Sequence, residues 1–197
     1  MTKLIHVAGD EGQQLALPGT LWPAGCKVGQ SDPLFFAPIT RRQANDLLDH
    51  FGHPLGHFTR PFGFQAWGLA YRGTAVAVAV SGSTVGSSAA GYGRFDVVDL
   101  ARIARHPKHP GVMRVMLRLW RDYLGPLWAE AYWPVQAAVS YGLPGKAGTV
   151  YRFDGWKRYG AVKPSGGGGT WSHQSKAAAI GDGVKTVWYH PYPDGGR

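Results

Sequence analysis

The stretch FQAWGLAYRGTAVAVAVSGS, residues 64–83, constrains the fold more than any other part of the chain. Two runs rich in alanine, valine and aromatic residues flank Arg72-Gly73-Thr74, the pattern of two β-strands joined by a tight hairpin turn. RFDVVDLARIARHP, residues 94–107, alternates and is rich in β-formers, so it reads as a third strand of the same meander. The intervening SSAAGYG reads as a flexible tip. PVQAAVSYG, residues 134–142, is largely apolar and suits the middle of a sheet, and KTVWYHPYP near the end is a last strand candidate.

Helical patterns separate these strands. In PITRRQANDLLDHFG, residues 38–52, Thr40 can cap a helix with Gln43 completing a capping box, and Gly52 closes it. Ala44, Leu47, Leu48 and Phe51 form its apolar stripe. GVMRVMLRLWRDYLG, residues 111–125, predicts a helix with Val112, Val115, Met116, Leu119 and Tyr123 on one side. Arg114, Arg118 and Arg121 take the other side. In GTVYRFDGWKRYG, Tyr151 and Gly155 stand four apart, so a short helix would turn Tyr151 into a cleft and stop at Gly155. Trp156 then starts the next strand. The order predicts an α/β (α+β) fold, one domain with a central mixed sheet flanked by helices. Residues 1–33 read as a loosely structured lead-in with one short strand; residues 34–197 form the domain, with a Gly-rich loop at 165–169.

A chain of 197 residues supports one well-buried core and not two. Its 44% hydrophobic content rules out a wholly disordered chain. The single cysteine, Cys26, excludes an internal disulfide and a cysteine-rich metal site. No run reaches membrane-spanning length, so a soluble cytoplasmic protein with no membrane partner is expected. Residues 1–100 hold seven Lys/Arg against seven Asp/Glu, and residues 101–197 hold fourteen against five, so the whole excess of +9 falls in the second half. That asymmetry points to a polyanionic partner, nucleic acid first and a phosphorylated cofactor second.

The order of elements resembles the GNAT acyltransferase fold. DLARIARHPKHPGVMRVMLRLW, residues 99–120, is similar to the acyl-CoA element of that family, where a strand ends before proline and a basic loop opens a helix. A helix N-terminus there holds pyrophosphate through free N–H groups and its positive dipole end. The resemblance implies acetyl-CoA or another acyl-CoA as donor, with Ile103, Arg105, His109, Gly111, Val112, Met113 and Arg114 around it. The loop departs from the family in having only Gly111, with Met113 where a glycine is expected. It implies that Tyr151 protonates the departing thiolate. A narrower resemblance, from about residue 50 onward, is to the Mom-like DNA-modification proteins of phages and mobile elements. VVDLARIARHP, AAVSYGLPGKAGTVYRFDGWKRYG and KTVWYHPYP carry it in that order. It implies transfer of a carbamoylmethyl or acyl-type group to the exocyclic amine of adenine extruded from double-stranded DNA, protecting it from restriction, with iron implicated.

Several residues are candidates for that chemistry. Tyr151 would serve as acid or as a core aromatic, and Ser140 as a site hydroxyl at a strand end or a turn-bonding one. Asp154 would act in the site or cap a turn; Asp99 would be a base or pair with an arginine such as Arg102. His50, His53 and His57 form H-x₂-H-x₃-H, with His53 and His57 as candidates for base, DNA contact or metal ligand. Lys157, Arg158, Tyr159, Lys163, Lys176 and Lys185, interleaved with Trp171 and Trp188, suit phosphate contact and base stacking. A conventional N-acetyltransferase of a small molecule, protein or RNA, and a non-catalytic nucleic-acid binder, are the alternative readings. The sequence leaves monomer and dimer open.

Overall fold

The computed structural model describes residues 13–15, 34–162 and 184–193. Its centre is an eight-stranded sheet in the order β1-β2-β3-β4-β7-β8-β10-β9. From the first edge inward lie β1 (Gln13–Leu15), β2 (Leu34–Pro38), β3 (Gln65–Tyr71), β4 (Thr74–Gly82) and β7 (Val97–Arg105). Beyond them lie β8 (Ala137–Gly142), β10 (Lys185–Pro191) and the edge strand β9 (Lys157–Val162). All neighbours are antiparallel except β7 and β8.

The β3–β4 hairpin forms as its sequence predicts. Arg72 and Gly73 both take positive φ, +48° and +72°, the backbone of a two-residue turn whose twist matches its strands. Strand β4 is buried throughout after Thr74 because helices cover both faces of the sheet. Ala77 and Ala79 face the layer holding Met116 and Trp120; Val78 and Val80 face the layer holding Leu47 and Leu48. Small side chains on the first face leave room for the large ones opposite.

The second layer is α1 (Arg41–His50), with the expected Thr40–Gln43 capping box and with Ala44, Leu47 and Leu48 buried. The first layer is α2 (Val112–Leu119), which runs into a wider π-turn at Trp120–Leu124, closed by Gly125 N–H donating to the Trp120 carbonyl at 2.6 Å. A π-turn advances each residue by less than 100°, so the stripe expected from an uninterrupted helix breaks there. Tyr123 is 59% exposed instead of facing the core, and Trp120 is fully buried with its Nε1–H on Ser81 Oγ at 2.8 Å. Helices α3 (Trp128–Ala131) and α4 (Thr149–Phe153) complete this side.

Two elements differ from expectation. The 87–93 tip carries a short hairpin, β5 (Ser88–Ala89) with β6 (Tyr92–Gly93), and β2 is a strand that the residues before Ile39 did not suggest. Strand β1 pairs with β2, so part of the N-terminal lead-in belongs to the sheet. Cys26, the 165–169 glycine run, Lys163, Trp171 and Lys176 lie outside the described residues. Among the described residues, no helix is long and apolar enough to cross a membrane.

Candidate active site

The parallel pair β7–β8 is short. Val97, Val98 and Asp99 pair with Ala137, Ala138 and Val139, after which β7 runs on to Arg105 while β8 turns its pairing wholly to β10. The two strands fork after Asp99. A cavity of about 330 Å³ fills the fork, walled by Leu100 to Ile103 on one side and Ser140 to Gly142 on the other. Helix α4, His53 and Leu55 close it.

Side chains span the fork at its apex. Ser140 Oγ donates to the Leu100 carbonyl at 3.0 Å, and Tyr151 Oη lies 2.9 Å from Ser140 Oγ. With the one serine hydrogen committed to Leu100, the Tyr151 hydroxyl is the donor between them. Tyr151 comes from α4, placed by two glycines. Gly148 starts the helix at φ +63°, and a Cβ there would sit 2.4 Å from Trp188 Cζ2. Gly155 takes φ +77° and turns the chain into Trp156 and β9. The Tyr151 ring stacks on Trp188, centroids 5.6 Å apart, and meets Trp156 edge-on at 5.3 Å. Burial pushes its hydroxyl up to about 12, against the pull of the Ser140 bond. Burial likewise pushes the cavity-lining Tyr141 up to about 12, with nearby Asp99 adding to the shift.

The other candidates separate. Asp154 does not face the cavity: its buried carboxylate accepts from Arg118 Nε and Trp156 Nε1, both at 3.2 Å, and pairs with Arg121 Nη1 at 2.9 Å. These bonds tie the end of α4 to the segment that carries Arg118 and Arg121. Asp99 is fully buried and takes Arg60 Nη1 at 2.5 Å, so the arginine partner expected in Arg102 is Arg60, from the loop after α1. Burial pushes the Asp99 carboxyl up, while Arg60 pulls it down. Asp99 is not among the residues that line the cavity; its neighbour Leu100 is.

His53 lines the cavity, and burial, with Arg102 nearby, pushes its imidazole down to about 4, so it is neutral at neutral pH. Its Nδ1 accepts Leu55 N–H at 3.2 Å, which leaves the ring proton on Nε2 and makes the ring a donor rather than a base. His57 leaves the site: Nε2 lies 2.6 Å from Asp49 Oδ2 on an exposed surface. His50 packs on Phe51 and His106. Among the described residues no three His, Cys, Asp or Glu side chains gather as metal ligands, so the iron expectation finds no ligand set there.

The segment expected to hold an acyl-CoA lies past the open end of β7. Ile103 lines the cavity, and the chain then passes through His106–Pro110 to Gly111, which starts α2 without a side-chain cap. Arg105 spends its guanidinium on the His106 and Pro107 carbonyls, so it shapes the loop. His109 packs on Tyr71 and His106. The Val112 side chain is fully buried, and Met113 is half-buried. Arg114, on the first turn, has its guanidinium 5.8 Å from the Phe153 ring and a buried Nε with no hydrogen-bond partner among the described residues. An unpaired buried donor beside a helix N-terminus fits an anionic group.

Of the expected nucleic-acid contacts, Lys157, Arg158 and Tyr159 are exposed on β9, and Lys185 is half-buried at the start of β10. Trp188 is buried against Tyr151 and offers no face for a base. The residues missed by the sequence reading are Arg60 and the carbonyl of Leu100, which nothing local in the sequence marks.

No family model and no curated protein matches the sequence. Solved structures do. The ribosomal-protein-S18-alanine N-acetyltransferase from Escherichia coli aligns over 80% of this chain and 93% of its own, at 12% identity and a TM-score of 0.51. The ribosomal-protein-S5-alanine acetyltransferase from Vibrio fischeri aligns over 82% and 94%, at 9% identity and a TM-score of 0.52. The chain has the fold of the GNAT acetyltransferases, a mixed sheet flanked by helices. Neither alignment bears on DNA modification.

Proposed function

We propose that the protein is an acyl-CoA-dependent N-acyltransferase, with the fork between β7 and β8 as its reaction cleft. The observation that carries this reading is the chain from Tyr151 through Ser140 to the Leu100 carbonyl, set where the strands part. Acyl-CoA, when bound, supplies a thioester whose acyl carbon an amine attacks. Arg114 and the start of α2 would hold its diphosphate, and Ile103 and the β8 backbone would wall its narrow arm.

The C–N bond forms as the C–S bond breaks, and one proton passes from nitrogen to sulfur. Tyr151, protonated at every physiological pH, would turn its one hydrogen from Ser140 to the leaving sulfur. A hydroxyl held near 12 is a weaker acid than a thiol of about 8.5. Tyr151 therefore stabilises the departing sulfur by hydrogen bonding, and the proton that ends there originates on the attacking nitrogen. Ser140 keeps the tyrosine aimed and is itself held by Leu100. Calorimetry with acetyl-CoA tests the reading: binding with a raised Tm is expected, and no binding overturns it.

For the acceptor, the exocyclic amine of adenine in DNA is the finer reading. It is supported by the exposed Lys157, Arg158 and Tyr159 on the β9 edge and by the basic second half of the chain. Mass spectrometry of nucleosides from DNA co-expressed with the protein tests it. A modified adenosine is expected. Acylation of free amines with unmodified DNA would point to a conventional N-acetyltransferase, and DNA binding without any product to a non-catalytic binder.

A further inference from the structure

The sheet face opposite α2 and α4 carries charge that the acyl-transfer step does not use. Arg102 pairs with Val80, which packs in the α1-side core, so Arg102 projects to that side. There its Nε reaches the Gly56 carbonyl at 3.4 Å and its Nη1 the Ala101 carbonyl at 2.7 Å. Arg60 is held on the same side by Asp99 and by the Ser83 carbonyl at 3.0 Å. Lys185 is two and four residues from Val187 and Tyr189 on β10, and Tyr189 packs with Val139 and Tyr141. Strand alternation thus brings Lys185 to the face that Arg60 and Arg102 occupy.

Three cations meet one carboxylate, Asp99, whose Oδ1 has no hydrogen-bond partner among the described residues. Of the three cations Arg102 lines the cavity, beside Tyr141 and His53, so the cluster reaches the cleft through Arg102. The crowding is felt by its members. Burial, then Arg60, pushes Arg102 down to about 10, and burial with Arg60 and Arg102 pushes Lys185 down. Among the described residues two of these positive charges have no carboxylate of their own, which costs folding stability, and an anion would relieve that cost. Guanidinium forks and an ammonium match the oxygens of a phosphate.

We propose that Arg60, Arg102 and Lys185 form a phosphate subsite for the acceptor substrate, so that the amine to be acylated belongs to a phosphorylated molecule. This deepens the acyl-transfer reading and rests on it. The phosphate is either a nucleic-acid phosphodiester or a monoester on a small amine. Arg60 is the poorest place to test, because its removal strands Asp99. Arg102 and Lys185 are better.

Inorganic phosphate is titrated calorimetrically into wild type, Arg102→Gln, Lys185→Gln and Lys185→Arg, with acetyl-CoA saturating so that the donor loop is filled. Circular dichroism and Tm confirm that each variant is folded. Each Gln variant is expected to bind phosphate about tenfold more weakly or worse, with Lys185→Arg near wild type. Equal phosphate affinity in all four overturns the subsite. So does a matching loss of acetyl-CoA affinity, which would give the cations to the donor. If wild type binds no acetyl-CoA, the acyl-transfer reading falls separately, and the same titration without acetyl-CoA still decides whether the trio holds phosphate. A single-stranded oligonucleotide displaced by phosphate identifies the diester source; acylation of phosphoethanolamine but not ethanolamine identifies the monoester.

Discussion

Replacing Tyr151 with phenylalanine removes one oxygen and leaves the ring between Trp156 and Trp188. The hydroxyl makes one hydrogen bond, to Ser140, and Ser140 keeps its bond to Leu100 afterwards. The loss is therefore that of a single bond, about 1 kcal/mol. In a chain of this size that lowers Tm by about 2–4 °C. Acyl transfer should fall by about 10² or more if the hydroxyl meets the leaving sulfur. Alkaline stability gives a second readout. The unfolded tyrosine loses its proton near pH 10, whereas the folded one holds it to about 12, so between these values the folded state binds more protons. Stability present below pH 10 is lost as pH rises through this window, by about 2–3 kcal/mol from this residue. The Phe variant should lack that share of the alkaline loss. Steady-state acyl transfer and thermal melts across pH measure both. A Phe variant with full activity would remove Tyr151 from the mechanism, and one that unfolds would show the hydroxyl to be structural.

Three other perturbations separate structure from chemistry. Gly148→Ala must hold a Cβ 2.4 Å from Trp188 at φ +63°, so it should lose about 3 kcal/mol in denaturant melts, an unchanged midpoint meaning that α4 starts elsewhere. Asp154→Ala leaves Arg118 and Arg121 without their shared carboxylate and should cost about 2–4 kcal/mol, discounted for the partial exposure of both arginines, with Asp154→Asn milder. His53 stays neutral in the fold down to about pH 4, whereas the unfolded ring charges near 6.5; stability should fall as pH drops from 6.5 to 4, and acid melts of His53→Gln should lack that component.

What the sequence made legible was local. The Arg72-Gly73 hairpin, the Thr40–Gln43 capping box and the Gly148-to-Gly155 helix each depend on residues within a few positions, and each formed as expected. Ser140 and Tyr151 were both singled out, but their meeting across the apex required the fork, which no local pattern encodes. Asp99 was read as a base or an arginine's partner, and Asp154 as a site acid or a turn cap. Their partners, Arg60 and Arg121, are 39 and 33 residues away in sequence, and no local pattern encodes that pairing. Tyr123 failed for a subtler reason. A single widened turn after Leu119 shifts the phase of everything beyond it, and hydrophobic spacing read at 3.6 residues per turn does not detect a π-turn.

The segment that contains the π-turn links the start of α2 to the end of the Tyr151 helix. Helix α2 begins at Gly111, beside the loop that would meet a diphosphate, and Arg118 from its last turn binds Asp154. Arg121, from the widened turn, reaches the same carboxylate and the Asp154 carbonyl, while Trp120 stays pinned to Ser81 in the sheet. Asp154 is the residue that ends α4, three positions after Tyr151. One continuous helical segment thus holds Arg114 at its first turn and the C-terminus of the Tyr151 helix at its last. Arg118 and Arg121 are three residues apart, so they share a face of the segment and reach one carboxylate together. One rigid element therefore links the start of α2, where Arg114 stands, to the end of the helix that carries Tyr151.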